Sequence, residues 1–436
     1  MALSKKLLTG AIVSSLGGLL FGFDTAVISG AEQGLKLFFD LDAIAHGFTN
    51  SIALIGTIVG AIFAFLPAQR WGRKKSLLVI GALFGLSAIG CAVTNVWELF
   101  LIYRFIGGLG VGASSVIAPM YISEISPSNY RGRLVGLFQI SIVFGILLAF
   151  ISNYLIKIRI DGDAWRWMLG VEAIPALIFF FLTFMIPQSP RWLILKGKGA
   201  EGIEILKSLG DQDVQNTYDK IKNSLRTDSK KEGLFQRKYY KPIFLVFLMA
   251  TFNQFSGINA IMYYAPRIFE MSGIGADSAF LQAASVGFVN MVFTILAMTL
   301  IDKAGRKSLM LWGSIGMILS LITCAVFLNQ PDIGRGLLII PILIFIASFA
   351  FSQGAVIWVF ISEVFPNRVR ASGQSFGTFI HWFWAAILTW LFPVIASLPK
   401  GGSYAFTFFA CAMILQLIFV IKLFPETKGK SLENEV

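Results

Sequence analysis

The sequence predicts an all-α membrane protein with twelve transmembrane helices in two six-helix halves. Three observations carry this. Of its 436 residues, 56% are hydrophobic and only 14% charged, where an average globular chain carries about 25% charged residues. The mean hydropathy is +0.74, and the apolar residues gather in runs long enough to cross a bilayer. Loop motifs of the first half recur in order in the second.

Apolar runs of adequate length lie near 9–31, 48–68, 76–94, 99–121, 134–156, 168–187, 243–264, 279–301, 307–328, 336–361, 374–396 and 402–423. The net charge of +12 would point to nucleic acid in a soluble chain. Here the cations fall in alternate loops, as the positive-inside rule describes. Arg70, Arg73, Lys74 and Lys75 follow span 2, and Arg131 and Arg133 follow span 4. Lys303, Arg306 and Lys307 follow span 8, and Arg368 and Arg370 follow span 10. The other loops are weakly charged, for example Glu32, Lys36, Asp40 and Asp42 after span 1. Both termini are therefore expected in the cytoplasm, with the chain in the inner (plasma) membrane. Cys91, Cys324 and Cys411 all lie in apolar runs without metal-ligand spacing and read as small hydrophobes. No cleavable signal peptide is read at the N-terminus.

Residues 188–242 form a long polar segment with 12 Lys/Arg against 7 Asp/Glu. The apolar spacing of 201–209 is helical. This divides the chain into an amino-terminal half (1–187), a partly helical cytoplasmic linker (188–242) and a carboxy-terminal half with a short tail (243–436). Gly72-Arg73-Lys74 returns as Gly305-Arg306-Lys307. Ser123-Glu124 returns as Ser362-Glu363, and Pro187-Gln188-Ser189 is echoed by Pro425-Glu426-Thr427. Arg73 and Arg306 stand 233 residues apart, Glu124 and Glu363 239, and Pro187 and Pro425 238. Secondary transporters build a central alternating site from such duplicated halves. Gly72 and Gly305 let the chain reverse tightly. Arg73, Arg131, Arg306 and Arg370, beside Glu124 and Glu363, read as a charge network latching the halves on the inner side. The plainer reading is that these cations only obey the topology rule.

Within residues 7–31, Asp24 is the sole ionisable side chain. Arg104 in span 4 and Glu172 in span 6 are also embedded. An intramembrane charge is costly and defaults to a function with a partner. An Asp24–Arg104 pair that exchanges its ion pair for a proton is what a proton-coupled carrier needs, with Glu172 tuning it; a static structural ion pair is the alternative. A second constellation suits a sugar, whose hydroxyls each donate and accept: amides, indoles and an aromatic face. Gln139 lies in span 5. Asn253, Gln254 and Asn259 lie around Gly257 in span 7, where a helix break would free backbone groups. Asn290 lies in span 8, Trp358 in span 10, and His381 and Trp382 in span 11. Any one of these amides could equally be helix–helix glue.

Over nearly its whole length the chain resembles the sugar porter family of the major facilitator superfamily. The resemblance is carried by Gly22-Phe23-Asp24-Thr25, Arg104-Phe105-Ile106-Gly107-Gly108, Pro119-Met120-Tyr121-Ile122-Ser123-Glu124, Trp165-Arg166-Trp167-Met168, Pro187-Gln188-Ser189-Pro190-Arg191-Trp192, Gln254-Phe255-Ser256-Gly257-Ile258-Asn259 and Pro425-Glu426-Thr427-Lys428-Gly429. The pattern is similar to bacterial proton-coupled xylose and glucose symporters. The resemblance implies that Gln139, Gln254, Asn259, Asn290, Trp358 and Trp382 contact sugar, with Phe21 and Tyr263 as wall or gate. It also implies a proton role for Asp24, since the family's facilitators typically carry Asn there. Departures are Gln69 and Gln188, expected to weaken the inner latch, and Ala355 in place of a usual Pro, expected to alter bending of span 10. His381 departs from the usual Asn or Gln and either bonds a neighbour or contacts sugar. Ile146 stands where some relatives have a second Gln.

The expectation is a monosaccharide:proton symporter for D-xylose or D-glucose, a monomer in the lipid bilayer, with no cofactor, metal or nucleic acid. The alternatives are a passive uniporter and a sugar-sensing receptor, ranked last because the tail stops at Val436. No nucleophile–base pairing, metal-spaced cluster or phosphate-cradling loop suggests an enzyme.

Overall fold

The computed structural model describes residues 3–127, 129–227, 233–330, 333, 336–366 and 368–427; Lys428, Gly429 and the tail to Val436 lie outside them. Twelve helical segments among the described residues are long and apolar enough to cross a membrane. The first half holds α1 (Lys5–Phe38), α2 (Ala43–Phe63) with its short continuation α3 (Phe65–Arg70), α4 (Arg73–Val93), α5 (Trp97–Ile125), α6 (Arg131–Lys157), α7 (Ala164–Gly170) and α8 (Ala173–Thr183). The linker region forms α9 (Pro190–Leu195), α10 (Gly199–Leu209) and α11 (Val214–Thr227). The second half holds α12 (Tyr240–Phe255), α13 (Ile258–Glu270), α14 (Ala276–Ala304) and α15 (Arg306–Asn329). It continues with α16 (Ile339–Phe351), α17 (Gln353–Glu363), α18 (Arg370–Ala396) and α19 (Gly401–Lys422).

Spans 6, 7 and 10 are each divided. Span 7 divides between α12 and α13 at Gly257, whose φ of +85° suits glycine and little else. This is the break its sequence suggested. Span 10 divides at Ser352 (φ −116°, ψ −90°), three residues before Ala355. The missing proline therefore does not leave the span straight. Behind the break, buried Gln353 donates to Gln416 Oε1 at 2.7 Å, an inter-helix amide bond of the kind that holds transmembrane helices together. Span 6 divides between α7 and α8, with Glu172 at the N-cap position of α8, so its helix begins at Ala164 rather than near 168.

Contacts divide the chain into two compact units. The first comprises Met1–Asp24, Ile55–Ile146 and Leu169–Lys231; the second comprises Thr25–Leu54, Leu147–Met168 and Glu232–Val436. In the first unit, Leu77, Phe84, Ile117, Tyr121, Ile122 and Phe179 lie at the centre of a large apolar core. Here α1 and α6 cross on small residues. A Cβ added at Gly22 would run into the Ile142 carbonyl, and one at Gly145 into the Leu19 carbonyl. Close backbone approach at small residues is how transmembrane helices gain packing without a hydrophobic drive. That crossing fixes α1 two residues before Asp24. Gly22→Leu is accordingly expected to force the helices apart and to destabilise the protein by about 1–3 kcal/mol, the usual cost of overpacking. Thermal unfolding in detergent, compared with Gly85→Ala where no atom lies within 4 Å of the added carbon, measures it.

In the second unit the end of α2 remote from the basic turns packs on α13 and α18. Asn50 Nδ2 donates to Tyr264 Oη at 3.0 Å, and Tyr264 Oη donates to the Thr389 carbonyl at 2.9 Å. Trp390 Nε1 donates to the Ile44 carbonyl at 3.1 Å. Tyr264 also stacks on Phe392, with ring centroids 5.0 Å apart.

Candidate functional site: an embedded ion pair and an amide–aromatic cluster

In the first unit, Arg104 Nη1 donates to Asp24 Oδ1 at 2.7 Å, with both side chains at most 3% exposed. Helix α5 brings Arg104 to α1, and space is kept for the carboxylate by Gly107, where a Cβ would lie 3.4 Å from Asp24 Oδ1. Glu172, also buried, lies within electrostatic reach of both Asp24 and Arg104. One guanidinium, two carboxyls and one proton make a group with no net charge, which is what a buried site away from water tolerates. The three charges singled out in the sequence thus meet at one place.

In the second unit, the break at Gly257 places Gln254 on the last turn of α12 and Asn259 at the start of α13. Asn259 Nδ2 donates to Gln254 Oε1 at 2.7 Å, and Gln254 Nε2 donates to Asn253 Oδ1 at 3.1 Å. The same Nε2 lies 3.1 Å from His381 Nε2 and 3.2 Å from Nδ1, so the imidazole accepts from the amide. His381 sits between two indoles, its ring centroid 4.9 Å from Trp358 and 4.9 Å from Trp382. Among the described residues, the buried Asn253 Nδ2 has no hydrogen-bond partner in the protein. Asn290 lies buried on α14 and Tyr263 on α13, in the same unit. Gln139 on α6 and Phe21 on α1 belong to the first unit. Chemically, the cluster offers donors, acceptors and aromatic faces without a net charge, which suits a neutral polyol.

The basic turns form two separate clasps. Arg73 Nη2 donates to Glu124 Oε1 at 2.6 Å, and Ser189 Oγ donates to Glu124 Oε2 at 2.6 Å. Arg306 donates through Nε and Nη2 to both Glu363 oxygens at 3.2 and 2.8 Å, and Thr427 Oγ1 donates to Glu363 Oε2 at 2.6 Å. Each of these pairings lies within its own six-helix half and braces it. Arg131 is exposed, and Arg370 Nε donates to the Phe365 carbonyl at 3.2 Å. Gly72 (φ +83°) and Gly305 (φ +85°) make the tight turns. Gln188 does not forfeit the role of the acid: its Oε1 accepts from Lys74 N at 3.1 Å, as Glu426 accepts from Arg306 N and Lys307 N at 3.1 and 3.0 Å. A side-chain oxygen capping free N–H groups at a helix start serves in either form. Glu363→Ala removes two guanidinium hydrogen bonds. It is expected to cost about 1.5–3 kcal/mol, the worth of a hydrogen bond to a charged group, read as a lower unfolding temperature.

Sequence reasoning counted Glu32 among loop charges and did not weigh His46. Helix α1 runs on to Phe38, and the two side chains meet at 2.7 Å with each 1% exposed. The buried apolar positions Ile28, Ala31 and Leu35 were the available sign that the helix continues past the apolar run.

The sugar (and other) transporter family model matches residues 10–435. The chain is 36% identical to the D-xylose-proton symporter of Escherichia coli (strain K12), with 99% of this chain and 95% of the relative covered. It is 37% identical to the arabinose-proton symporter of Bacillus subtilis, covering 97% and 92%, and 36% identical to the glucose transport protein of Synechocystis, covering 97% and 95%. The inward-open structure of the xylose transporter XylE from E. coli superposes with a TM-score of 0.86 at 34% identity, over 98% of each chain.

Proposed function

The chain belongs to the sugar transporter family, with the major facilitator fold, and on that premise we propose that it is a proton-coupled monosaccharide symporter for D-xylose or D-glucose. The observation that carries the reading is the embedded Asp24–Arg104 pair with Glu172 against it. In the proposed cycle the two six-helix halves, 1–187 and 243–436, alternate access to a site between them. A proton arriving at the trio neutralises Asp24 and loosens Arg104, and its departure restores the ion pair. Sugar is held by Gln254, Asn259, Asn253, His381, Trp358 and Trp382, with Asn290, Gln139, Phe21 and Tyr263 completing the walls. The buried donor left over on Asn253 supports this, because an unmet buried amide is costly and a sugar hydroxyl would meet it. The two clasps, with Arg131 and Arg370 beside them, stiffen the cytoplasmic ends of the halves. Both termini lie in the cytoplasm, and the protein works in the inner membrane as a monomer.

Proteoliposome uptake of labelled xylose and glucose, each with and without an imposed proton gradient, tests the reading. Accumulation above equilibrium that collapses with a protonophore is expected for one of the two sugars. Uptake that reaches only equilibrium under every gradient would make the protein a uniporter.

A further inference from the structure

In the first unit an apolar groove of about 230 Å³ opens between α2 with α3, α4 and α5, its walls including Leu66, Pro67, Val79, Leu83, Leu109 and Ala113. Pro67 has no N–H for the Phe63 carbonyl, and the helix is divided there at Ala64. Ser76 brings a hydroxyl to the wall, but it donates to the Gly72 carbonyl at 2.8 Å. The groove therefore suits hydrocarbon. Helical register sets a cation just beyond it on two walls. Arg70 follows Leu66 and Pro67 by four and three residues, and Lys75 precedes Val79 by four, spacings that share one helix face. Both cations are exposed. Among the described residues neither forms an ion pair. Glu124, the carboxylate at this end of α5, is held by Arg73 and Ser189. Lys74 turns elsewhere, its Nζ donating to the Phe184 carbonyl at 2.8 Å.

We propose that this groove binds one anionic phospholipid from the leaflet that meets the basic turns, with an acyl chain in the groove and the phosphate on Arg70 and Lys75. A long apolar wall with two cations at one end matches an amphiphile of that charge, and a soluble anion has nothing to place against the wall. The internal repeat separates this site from a plain topology signal. Buried Ser76, Ile80, Gly81 and Phe84 of α4 correspond to buried Leu309, Gly313, Ser314 and Met317 of α15 at the constant offset of Arg73 and Arg306. By that offset Lys75 becomes Ser308, and Val79 becomes Trp312, which is 70% exposed. The rule that sorts charge across the membrane acts on both halves. The second half nevertheless has a serine and an indole where the first has a cation and an open wall. Two cations at the headgroup predict a preference of about 30-fold over a zwitterionic lipid with the same chains. The site uses no residue of the sugar cluster or the embedded trio.

Native mass spectrometry of the full chain in a neutral detergent, titrated with phosphatidylglycerol or with phosphatidylcholine of the same chains, reads the binding. One phosphatidylglycerol is expected to bind about 30-fold more tightly than phosphatidylcholine, with a preference that shrinks as salt is raised. Arg70→Gln with Lys75→Gln is expected to bring the two lipids to parity. Val79→Trp gives α4 the residue that α15 carries at the equivalent place; it keeps both cations but fills the groove. Affinity for both lipids is then expected to fall about tenfold, the worth of roughly two buried methylene groups. Arg237→Gln with Lys241→Gln, an equal loss of charge at exposed positions of the second unit, is expected to leave the preference in place. sn-Glycerol 3-phosphate, the charged head without chains, is not expected to displace the lipid at equal concentration. Equal binding of the two lipids by the wild-type chain, or a preference that survives loss of Arg70 and Lys75, overturns the proposal. Displacement by glycerol phosphate overturns it too, leaving a plain anion site. Should the double variant not fold, Val79→Trp still decides, because undiminished lipid affinity there removes the groove from the site.

Discussion

Asp24→Asn is expected to abolish accumulation of sugar against its gradient while leaving exchange and downhill flux in place. The substitution keeps the size of the side chain and an oxygen to accept from Arg104 Nη1, now 2.7 Å away, but it removes the group that gains and loses a proton. Coupling then has no carrier, whereas the walls of the sugar site are untouched. An asparagine also weakens the hold on Arg104, since a hydrogen bond to a charged acceptor is worth about twice a neutral one. Counterflow in vesicles and gradient-driven uptake, measured side by side, separate the two activities. Full accumulation in the variant would remove Asp24 from the coupling mechanism. Loss of counterflow along with accumulation would make the pair structural.

The second large effect is expected at Gln254. Gln254→Ala removes the acceptor for Asn259 and the donor for His381 and Asn253 at one stroke. Each neutral hydrogen bond contributes about 0.5–1.5 kcal/mol, with a further cost of about 1–3 kcal/mol for each partner stranded in a buried site. Sugar affinity is expected to fall by about 10- to 100-fold, with folding preserved because the surrounding helices pack through apolar residues. Tryptophan fluorescence titration reads the change, since Trp358 and Trp382 flank the site. Wild-type affinity in the variant would take Gln254 out of the sugar site.

Much of this was legible in the chain. Hydropathy runs locate twelve spans because a bilayer demands a length and a composition that local sequence cannot hide. The cost of an embedded charge similarly drew attention to Asp24, Arg104 and Glu172, and those three do meet. Partner choice was less legible. Arg73 and Arg306 each had two acids of the right kind, Glu124 and Glu363, and repeat symmetry permits pairing within a half or across halves. Only the packing of α4 on α5 and of α15 on α17 settles it. The break at Ser352 left no proline or glycine at that residue; it is sustained by Gln353 reaching Gln416, a contact 63 residues away. The imidazole of His381 was recognised as unusual, but its acceptance from Gln254 depends on α18 facing α12.

One further consequence follows from the crowding around Gln254. Its amide is already satisfied from both ends, by Asn259 and by Asn253 and His381. At the proposed sugar site an arriving hydroxyl finds one open donor, Asn253 Nδ2, and must otherwise displace or share bonds that exist. Hydrogen bonding then changes little in number on binding, and the enthalpy gained per contact is small. A receptor built for tight capture would find this wasteful. A carrier benefits, because whatever enters must also leave within one turnover, and a pocket that closes on itself when empty speeds the exit.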